Sequence, residues 1–392
     1  MEFSDLPALD TADPLARFRD AFDLPDGVAY LAGNSLGPPP KTALARLDGI
    51  AREWGGALVH GWTEHDWIGA PARVGGKIAR LIGAEADETI VADSTSANLY
   101  KLITAAMAAA PERRTLLAVE GEFPTDLYVA EGAVRTLGGG RRLRVVERDG
   151  LTAALDGDVA LLLLSHVHYR SASPWDMAAV TAEAHAAGAL VLWDLSHSTG
   201  VAPVDLNGAG ADLAVGCGYK YLNGGPGAPA YLYVARRHQK RLVSPLSGWM
   251  GHARPFDFAD GYQPALGIGR FLCGTPPILS MAALEAGVDL MLLADPAALA
   301  EKAHRLGDVF LELAAAHCPG LEPACPGPGR PRGGHVAFRC REAAKLSEAL
   351  AGVGVIGDVR PPDLLRFGLS PLYVSYADVG RAVRALAQLL AA

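Results

Sequence analysis

Residues 190–200, LVLWDLSHSTG, and residues 211–221, ADLAVGCGYKY, decide the fold. Leu190 to Trp193 is an apolar run that ends in Asp194, and Ala211 to Val215 is a second one that leads through Gly216-Cys217-Gly218 to Tyr219-Lys220. Short apolar runs bounded by glycine and polar residues read as buried strands. A buried strand that closes on a charge needs a partner for that charge. In a parallel α/β sheet, ligands lie outside the carboxyl ends of the strands, so an acid and a lysine at two strand ends can face one ligand. The pair suits pyridoxal phosphate (PLP). A carboxylate keeps the pyridine nitrogen protonated, which makes the ring an electron sink, and a lysine forms a Schiff base with the aldehyde. An aspartate capping a helix beside a surface lysine is the competing reading of the pair taken alone.

Around this stretch the chain alternates between strands and helices. VALLLLS, 159–165, is a buried strand, residues 176–187 read as a helix, and TIVADSTSANLYKLI from Thr89 passes from a strand into a helix. Such alternation between 89 and 235 predicts a parallel sheet. Ser94, Thr95, Ser96 and Asn98 crowd the helix start, where hydroxyls either cap the helix or join its free N–H groups in binding a phosphate. LLAVEGEFPTDLYV places Phe123 and Asp126 in a loop, positioned to stack on a ring and to bond its edge, or simply to pack and cap. His166 and His168 share one face of an extended segment, but no carboxylate or thiol completes a set, so no metal site is expected. No GxGxxG follows a strand, which leaves a dinucleotide site unsupported.

Further out, Asp13-Pro14 predicts a short helix over 13–23, and residues 41–60 predict another. YLAGNSLGPPP, 30–40, is a rigid loop in which Ser35 can donate to a ligand. GWTEHDW, 61–67, offers Trp62 either as packing or as a flat wall for an aromatic substrate. An apolar pattern from Leu279 to Ala315, broken near Pro296, suggests a long helix leading to a second domain. In DLLRFGLSPLYVS, Arg366 sits between Leu365 and Phe367 and requires an acid partner from the protein or from a substrate.

Composition sets limits. The chain has 392 residues, enough for roughly two or three domain-sized units. A net charge of −8 gives no basic surface for nucleic acid or anionic membrane. No apolar run approaches the ~20 residues that span a bilayer, and the acidic start MEFSDLPALD lacks the order of a signal peptide. A cytoplasmic location is therefore expected. Five scattered cysteines, none in CxxC spacing, argue against a disulfide framework or a zinc site.

GNSLG at 33–37, STSAN at 94–98, EFPTD at 122–126, WDLSHSTG at 193–200, GYKYLNGGPG at 218–227, SGWMGH at 247–252 and FLCGTPPIL at 271–279 come one after another in that order. On these motifs, spread over almost the whole chain, the sequence resembles the kynureninase family. The resemblance implies the PLP-dependent transferase fold type I, aspartate aminotransferase-like: an α/β large domain with a mainly parallel central sheet and a smaller α+β domain. The divisions expected are 1–50, joining the small domain, 51–275, the PLP-binding domain, and 276–392, the linking helix and small domain.

By the same resemblance Lys220 holds PLP and Asp194 pairs with its pyridine nitrogen. Phe123 stacks on the ring, with Asp126, His197 and Ser165 beside it. Thr95, Ser96 and Tyr219 surround the phosphate, together with the partner's Trp249 and the partner's Thr275, which implies a homodimer with shared sites. Arg366 clamps the α-carboxylate of kynurenine, and Ser35, Trp62 and Thr275 contact the substrate. The implied activity is hydrolytic Cβ–Cγ cleavage of L-kynurenine to anthranilate and L-alanine in tryptophan breakdown, with Lys220, Asp194 and Tyr219 catalytic. Trp62 with Gly274-Thr275 resembles the bacterial pattern, which implies preference for L-kynurenine over 3-hydroxykynurenine. In one place the chain departs from the family: Tyr169-Arg170-Ser171-Ala172 stands where Tyr-Lys-Thr-Gly or Tyr-Thr-Gly is common. Two other readings are a cysteine desulfurase-like lyase, which needs a nucleophilic cysteine such as Cys318 or Cys325, and a catalytically silent PLP-fold binding protein.

Overall fold

A computed structural model describes residues 1–391. Its main sheet has seven strands. In spatial order these are Thr89–Val91, Tyr231–Val234, Leu213–Gly216, Leu190–Asp194, Val159–Ser165, Thr115–Val119 and Arg142–Val146. The last five run parallel; Tyr231–Val234 is antiparallel to both of its neighbours.

The leucine run of 159–165 is continuous because both faces of this strand are covered, the condition that parallel sheets impose. Leu161, Leu163, Leu192 and Val215 belong to a core on one face, together with Leu99 and Leu102 of the helix Thr95–Ala108. Leu162, Leu164, Val191 and Trp193 face the other way, into the larger core. Period-two alternation thus splits one apolar run between two cores.

A second, antiparallel sheet orders Asp358–Arg360, Leu364–Gly368, His335–Arg339 and Glu322–Pro323. The helices Pro296–His317 and Tyr376–Ala391 pack on each other beside it, and Phe310, Phe338 and Phe367 meet there. Phe310 stacks on Phe367 with ring centroids 4.8 Å apart. The beginning of the chain closes onto this end: Leu6–Ala12 packs on Tyr376–Ala391, and Ala29–Tyr30 pairs in parallel with Val355–Ile356.

Several elements differ from expectation. Asp13 ends the helix Leu6–Ala12 rather than starting one, and the next element is the 3-10 segment Ala16–Ala21. Its carboxylate forms a buried pair with Lys302 at 2.6 Å, a long-range contact that outweighs its local capping tendency. The apolar pattern 279–315 is two helices, Ile278–Met291 and Pro296–His317, because Asp295 and Pro296 begin a new one. Phe123 and Asp126 are not in an open loop: Pro124–Leu137 is a helix with Asp126 in its first turn. Ala172, at the departure from the family pattern, takes φ of 56°, the left-handed region where glycine is at ease.

Phe310 is fully buried, and Phe310→Ala should lower the free energy of unfolding by about 3–5 kcal/mol. Urea unfolding of the two proteins measures this; a loss below about 1 kcal/mol would mean that the three rings do not hold this core.

Candidate active site

Parallel register aligns Ser165 with Asp194, so both side chains emerge at the same edge of the sheet. The next parallel strand, Leu213–Gly216, carries the chain past that edge to Tyr219 and Lys220. There a cavity is lined from four directions. Asp194, Ser196 and His197 come from one strand end and Ser165 from its neighbour; Phe123 and Asp126 come from the start of Pro124–Leu137, and Thr95 and Ser96 from the start of Thr95–Ala108. Tyr219 and Lys220 close it. Gly37 secures the lysine turn from outside: its N–H donates to the Tyr219 carbonyl at 2.8 Å, and a Cβ there would strike the Lys220 carbonyl oxygen.

Lys220 is buried, its Nζ 3.0 Å from His197 Nε2 and 5.9 Å from the centroids of the Phe123 and Tyr219 rings. Burial, then the Lys220 charge, push the His197 pKa well below its usual range, so this imidazole is neutral. Burial raises Tyr219 far above the usual phenol range, and Cys217 and Asp194 add to it, so Tyr219 keeps its proton and is a donor at neutral pH. Asp194 Oδ1 accepts from the Ser196 N–H at 2.8 Å. Asp126 is almost completely buried, and its Oδ2 has no partner among the described residues. Burial and the facing Asp194 and Glu122 carboxylates push its pKa well up, and it holds its proton.

These features fit PLP. Thr95 and Ser96 begin a 14-residue helix whose N-cap is Ser94, and its first turn presents free N–H groups and hydroxyls, the setting in which helices bind phosphate. Asp194, beside the protonated Asp126, is the acid that a protonated pyridine ring requires. An orphaned polar atom at Asp126 awaits a partner in the same cavity. Ser94 and Asn98, by contrast, are structural: Ser94 Oγ accepts from Ala97 N, and Asn98 Nδ2 donates to the Ala92 carbonyl at 2.7 Å. His166 bonds Ser198 Oγ through Nδ1 at 2.9 Å, and His168 bonds the Gly121 carbonyl through Nε2 at 2.7 Å.

The remaining residues expected at the site do not line this cavity within one chain. Arg366 is fully buried and finds its acid within the protein, as a two-pronged pair with Asp358 at 2.8 and 2.5 Å. Its Nη1 donates to the Tyr169 carbonyl, and Ser35 bonds the same Asp358. Trp62 and Trp249 share a second cavity, and Trp62 and Thr275 a third, both apart from Lys220 within one chain. Reading the sequence missed Glu122, Thr125, Ser196, Asp358 and Arg360. For Asp358 and Arg360 a signal existed: alternate residues on a strand share a face, and a lone arginine on a neighbouring strand calls for an acid there.

The cysteines that a desulfurase reading requires are not exposed nucleophiles. Cys318 is buried at a helix end with its pKa pushed up to about 11 by burial. Cys325, also raised by burial, accepts from the Ala337 N–H at 3.5 Å.

Comparison with known proteins places these features in a family. Residues 299–386 match the kynureninase C-terminal domain. The chain is 48% identical to a kynureninase of Deinococcus radiodurans over 100% of its own length and 97% of that protein's. It is 45% identical to a kynureninase of Pseudomonas fluorescens, covering 99% and 95%. Among solved structures, a cysteine desulfurase from Thermococcus onnurineus superposes with a TM-score of 0.82 at 18% identity, over 96% of this chain and 98% of that one. A cysteine desulfurase from Escherichia coli gives a TM-score of 0.80 at 17% identity over the same shares. At such identities the likeness concerns the fold, which is PLP-dependent fold type I.

Glu122 adds a titration to the site. It is buried, its Oε2 accepts from the Ser165 N–H at 2.9 Å, and burial, partly offset by that bond, raises its pKa to about 7. Between its unfolded value near 4.5 and about 7, the folded protein holds a proton that the unfolded chain lacks. Stability from this group is thus complete below the unfolded value and lost as pH rises through 7. Glu122→Gln keeps the acceptor and removes the titration. Relative to wild type, the variant should gain about 2–3 kcal/mol between pH 4.5 and 8. Urea unfolding at several pH values tests this, and parallel profiles would refute it.

Proposed function

The chain belongs to the kynureninase family, and on that premise we propose which of its residues carry the hydrolytic Cβ–Cγ cleavage of L-kynurenine to anthranilate and L-alanine. It is a PLP-dependent hydrolase of tryptophan catabolism acting on a carbon–carbon bond. The observation that carries the residue assignment is the meeting of Lys220 and Asp194 in one cavity with the start of the helix Thr95–Ala108.

PLP, when bound, supplies an electron sink for the charge left on substrate carbon. Thr95 and Ser96 would hold its phosphate with the N–H groups of their helix turn, and Phe123 would pack on the ring. Asp194, oriented by the Ser196 N–H, would pair with the pyridine nitrogen. Asp126 brings a proton to the ring's edge, and Ser165 lines it. Lys220 would hold the cofactor through its aldehyde, and its Nζ, with neutral His197 3.0 Å away, would be the base for the Cα proton. Water adds to the γ-carbonyl carbon and ends in the carboxyl group of anthranilate. Tyr219, protonated at neutral pH, would relay a proton, giving its own to Cβ as the bond to Cγ breaks and regaining one from the attacking water, and the Cα proton would be returned to give alanine.

The substrate carboxylate is received at the corner of Ser35 and Arg366. Trp62 and Thr275 are assigned to its aromatic end, and Trp249 with Thr275 to the site of a second copy. An exposed apolar surface at Trp249, Phe256, Phe258 and Leu266 supports pairing of two chains, since surfaces of this kind are covered in assemblies. We place the enzyme in the cytoplasm, where its free thiols stay reduced.

Anthranilate fluorescence after mixing the PLP-loaded protein with L-kynurenine should rise for wild type and stay flat for Lys220→Ala. Flat traces for both would refute the substrate, and equal traces would refute the role of Lys220. A 3-hydroxyl facing the Trp62 indole would lose water without a new partner, so kcat/KM should favour L-kynurenine over 3-hydroxykynurenine by about tenfold or more. Comparable values for the two substrates would overturn that preference.

A further inference from the structure

Behind Lys220 lies a run of buried polar side chains with hydrogen-bonding atoms that have no partner among the described residues. His197 meets Lys220 Nζ through Nε2 at 3.0 Å, and its Nδ1 is left over. His335 begins the strand His335–Arg339, is fully buried, and has neither ring nitrogen bonded. The centroids of the two imidazoles stand 5.5 Å apart. Asn34, from the loop of the GNSLG motif, is fully buried as well, with both carboxamide atoms unpartnered. Gly368 brings it beside His335. The antiparallel pair of strands sets His335 directly opposite Gly368, where Cβ positions share one face of the sheet about 5 Å apart. A Cβ at Gly368 would strike Asn34 Oδ1, so the carboxamide fills the space that this glycine leaves next to the histidine. Burying a polar group without a partner is costly, and a contiguous set of such groups ending on Lys220 calls for a function.

We propose that His335 and Asn34 are positioning residues for Lys220, joined to it through His197 in one line of hydrogen bonds. The inference rests on Lys220 being the lysine that holds PLP. Burial keeps both imidazoles neutral, helped by the Lys220 charge at His197 and by the Arg366 charge at His335. A neutral imidazole carries one N–H and one free lone pair, so the line has a single consistent direction. Lys220 donates to His197 Nε2, His197 Nδ1–H donates to one nitrogen of His335, and the other nitrogen of His335 donates to Asn34 Oδ1. An N–H···N bond of about 3 Å sets two imidazole centroids about 5 Å apart, and the broad ring torsion of histidine closes the small remaining gap. Only this tautomer of His197 accepts from Nζ, so the line stabilises the proton that Nζ takes from Cα. Without an acceptor at Nδ1, the His197 proton moves to Nε2 and points at Nζ, which favours the neutral amine.

The test compares two rates at neutral pH in His335→Phe, which keeps a flat ring and removes both nitrogens. Capture of PLP by the apoprotein, followed by absorbance, needs the neutral amine and should run about threefold faster than in wild type. Turnover of L-kynurenine by the PLP-loaded protein should be about fivefold slower in kcat, with KM within about twofold. His335→Gln offers an acceptor and a donor in the same place and should bring both rates back to within about twofold of wild type. Asn34→Leu should show the same opposed pair, and it decides the question if His335→Phe does not fold. Damage to the fold slows both rates, so a His335→Phe protein whose two rates do not move in opposite directions overturns the proposal, as does a His335→Gln protein altered to the same extent. Wild type that captures PLP but forms no anthranilate refutes the substrate alone, and the capture rates then decide this inference. A Lys220→Ala protein that captures PLP as wild type does overturns the assignment of Lys220 and this inference with it.

Discussion

Three carboxyl groups, Asp194, Asp126 and Glu122, are buried together at the carboxyl ends of the parallel strands, and burial, then their mutual repulsion, raises the pKa of Asp126 and of Glu122. Anions in a poorly solvated space either take up protons or demand a cation. Asp126 and Glu122 answer in the first way. The second answer is one that a protonated pyridine ring would give Asp194. Lys220 stands close by but has its own partner in His197, so the cavity keeps a negative side and a positive side rather than one internal ion pair. The parallel register that aligns Ser165 with Asp194 is therefore an electrostatic constraint as much as a geometric one.

At the second sheet the signs are reversed. There the antiparallel register places Asp358 opposite Arg366, and one acid serves two guanidiniums. Burying Arg366 is tolerable because Asp358, the Tyr169 carbonyl and Ser35 together satisfy it. Tyr169 belongs to the segment after the strand Val159–Ser165, so this arginine ties the small sheet to the large one at the mouth of the cavity. A cationic corner facing a negatively lined cavity suits a substrate that carries a carboxylate beside an amine.

What the sequence discloses divides along physical lines. Strands buried on both faces, such as 159–165 and 190–194, leave continuous apolar runs bounded by glycine, and these are legible at once. Arg142–Val146 is not, because an edge strand with no buried residue and two arginines resembles a surface loop. Asp13 misleads for a different reason: its environment is set by Lys302, nearly three hundred residues away, and no local pattern reports such a contact. The motifs bring Lys220, Asp194, Thr95 and Ser96 into one cavity, and EFPTD carries Glu122 without signalling its role, which comes from burial beside Asp194 and Asp126.

Tyr219 and Lys220 show how finely this site separates neighbours in the chain. Both leave the strand Leu213–Gly216 on one irregular turn, and both line one cavity. A phenol kept protonated by burial and by nearby anions can give a proton but not take one, whereas an amine released from the cofactor can take one. A reaction that removes a proton from Cα and adds one at Cβ needs both roles a few ångströms apart, without the two groups neutralising each other. His197 meets that need by bonding Lys220 directly while remaining neutral itself. Were His197 charged, it would repel Lys220, whose Nζ lies 3.0 Å away. The burial that depresses its pKa is thus as much a part of the chemistry as the lysine.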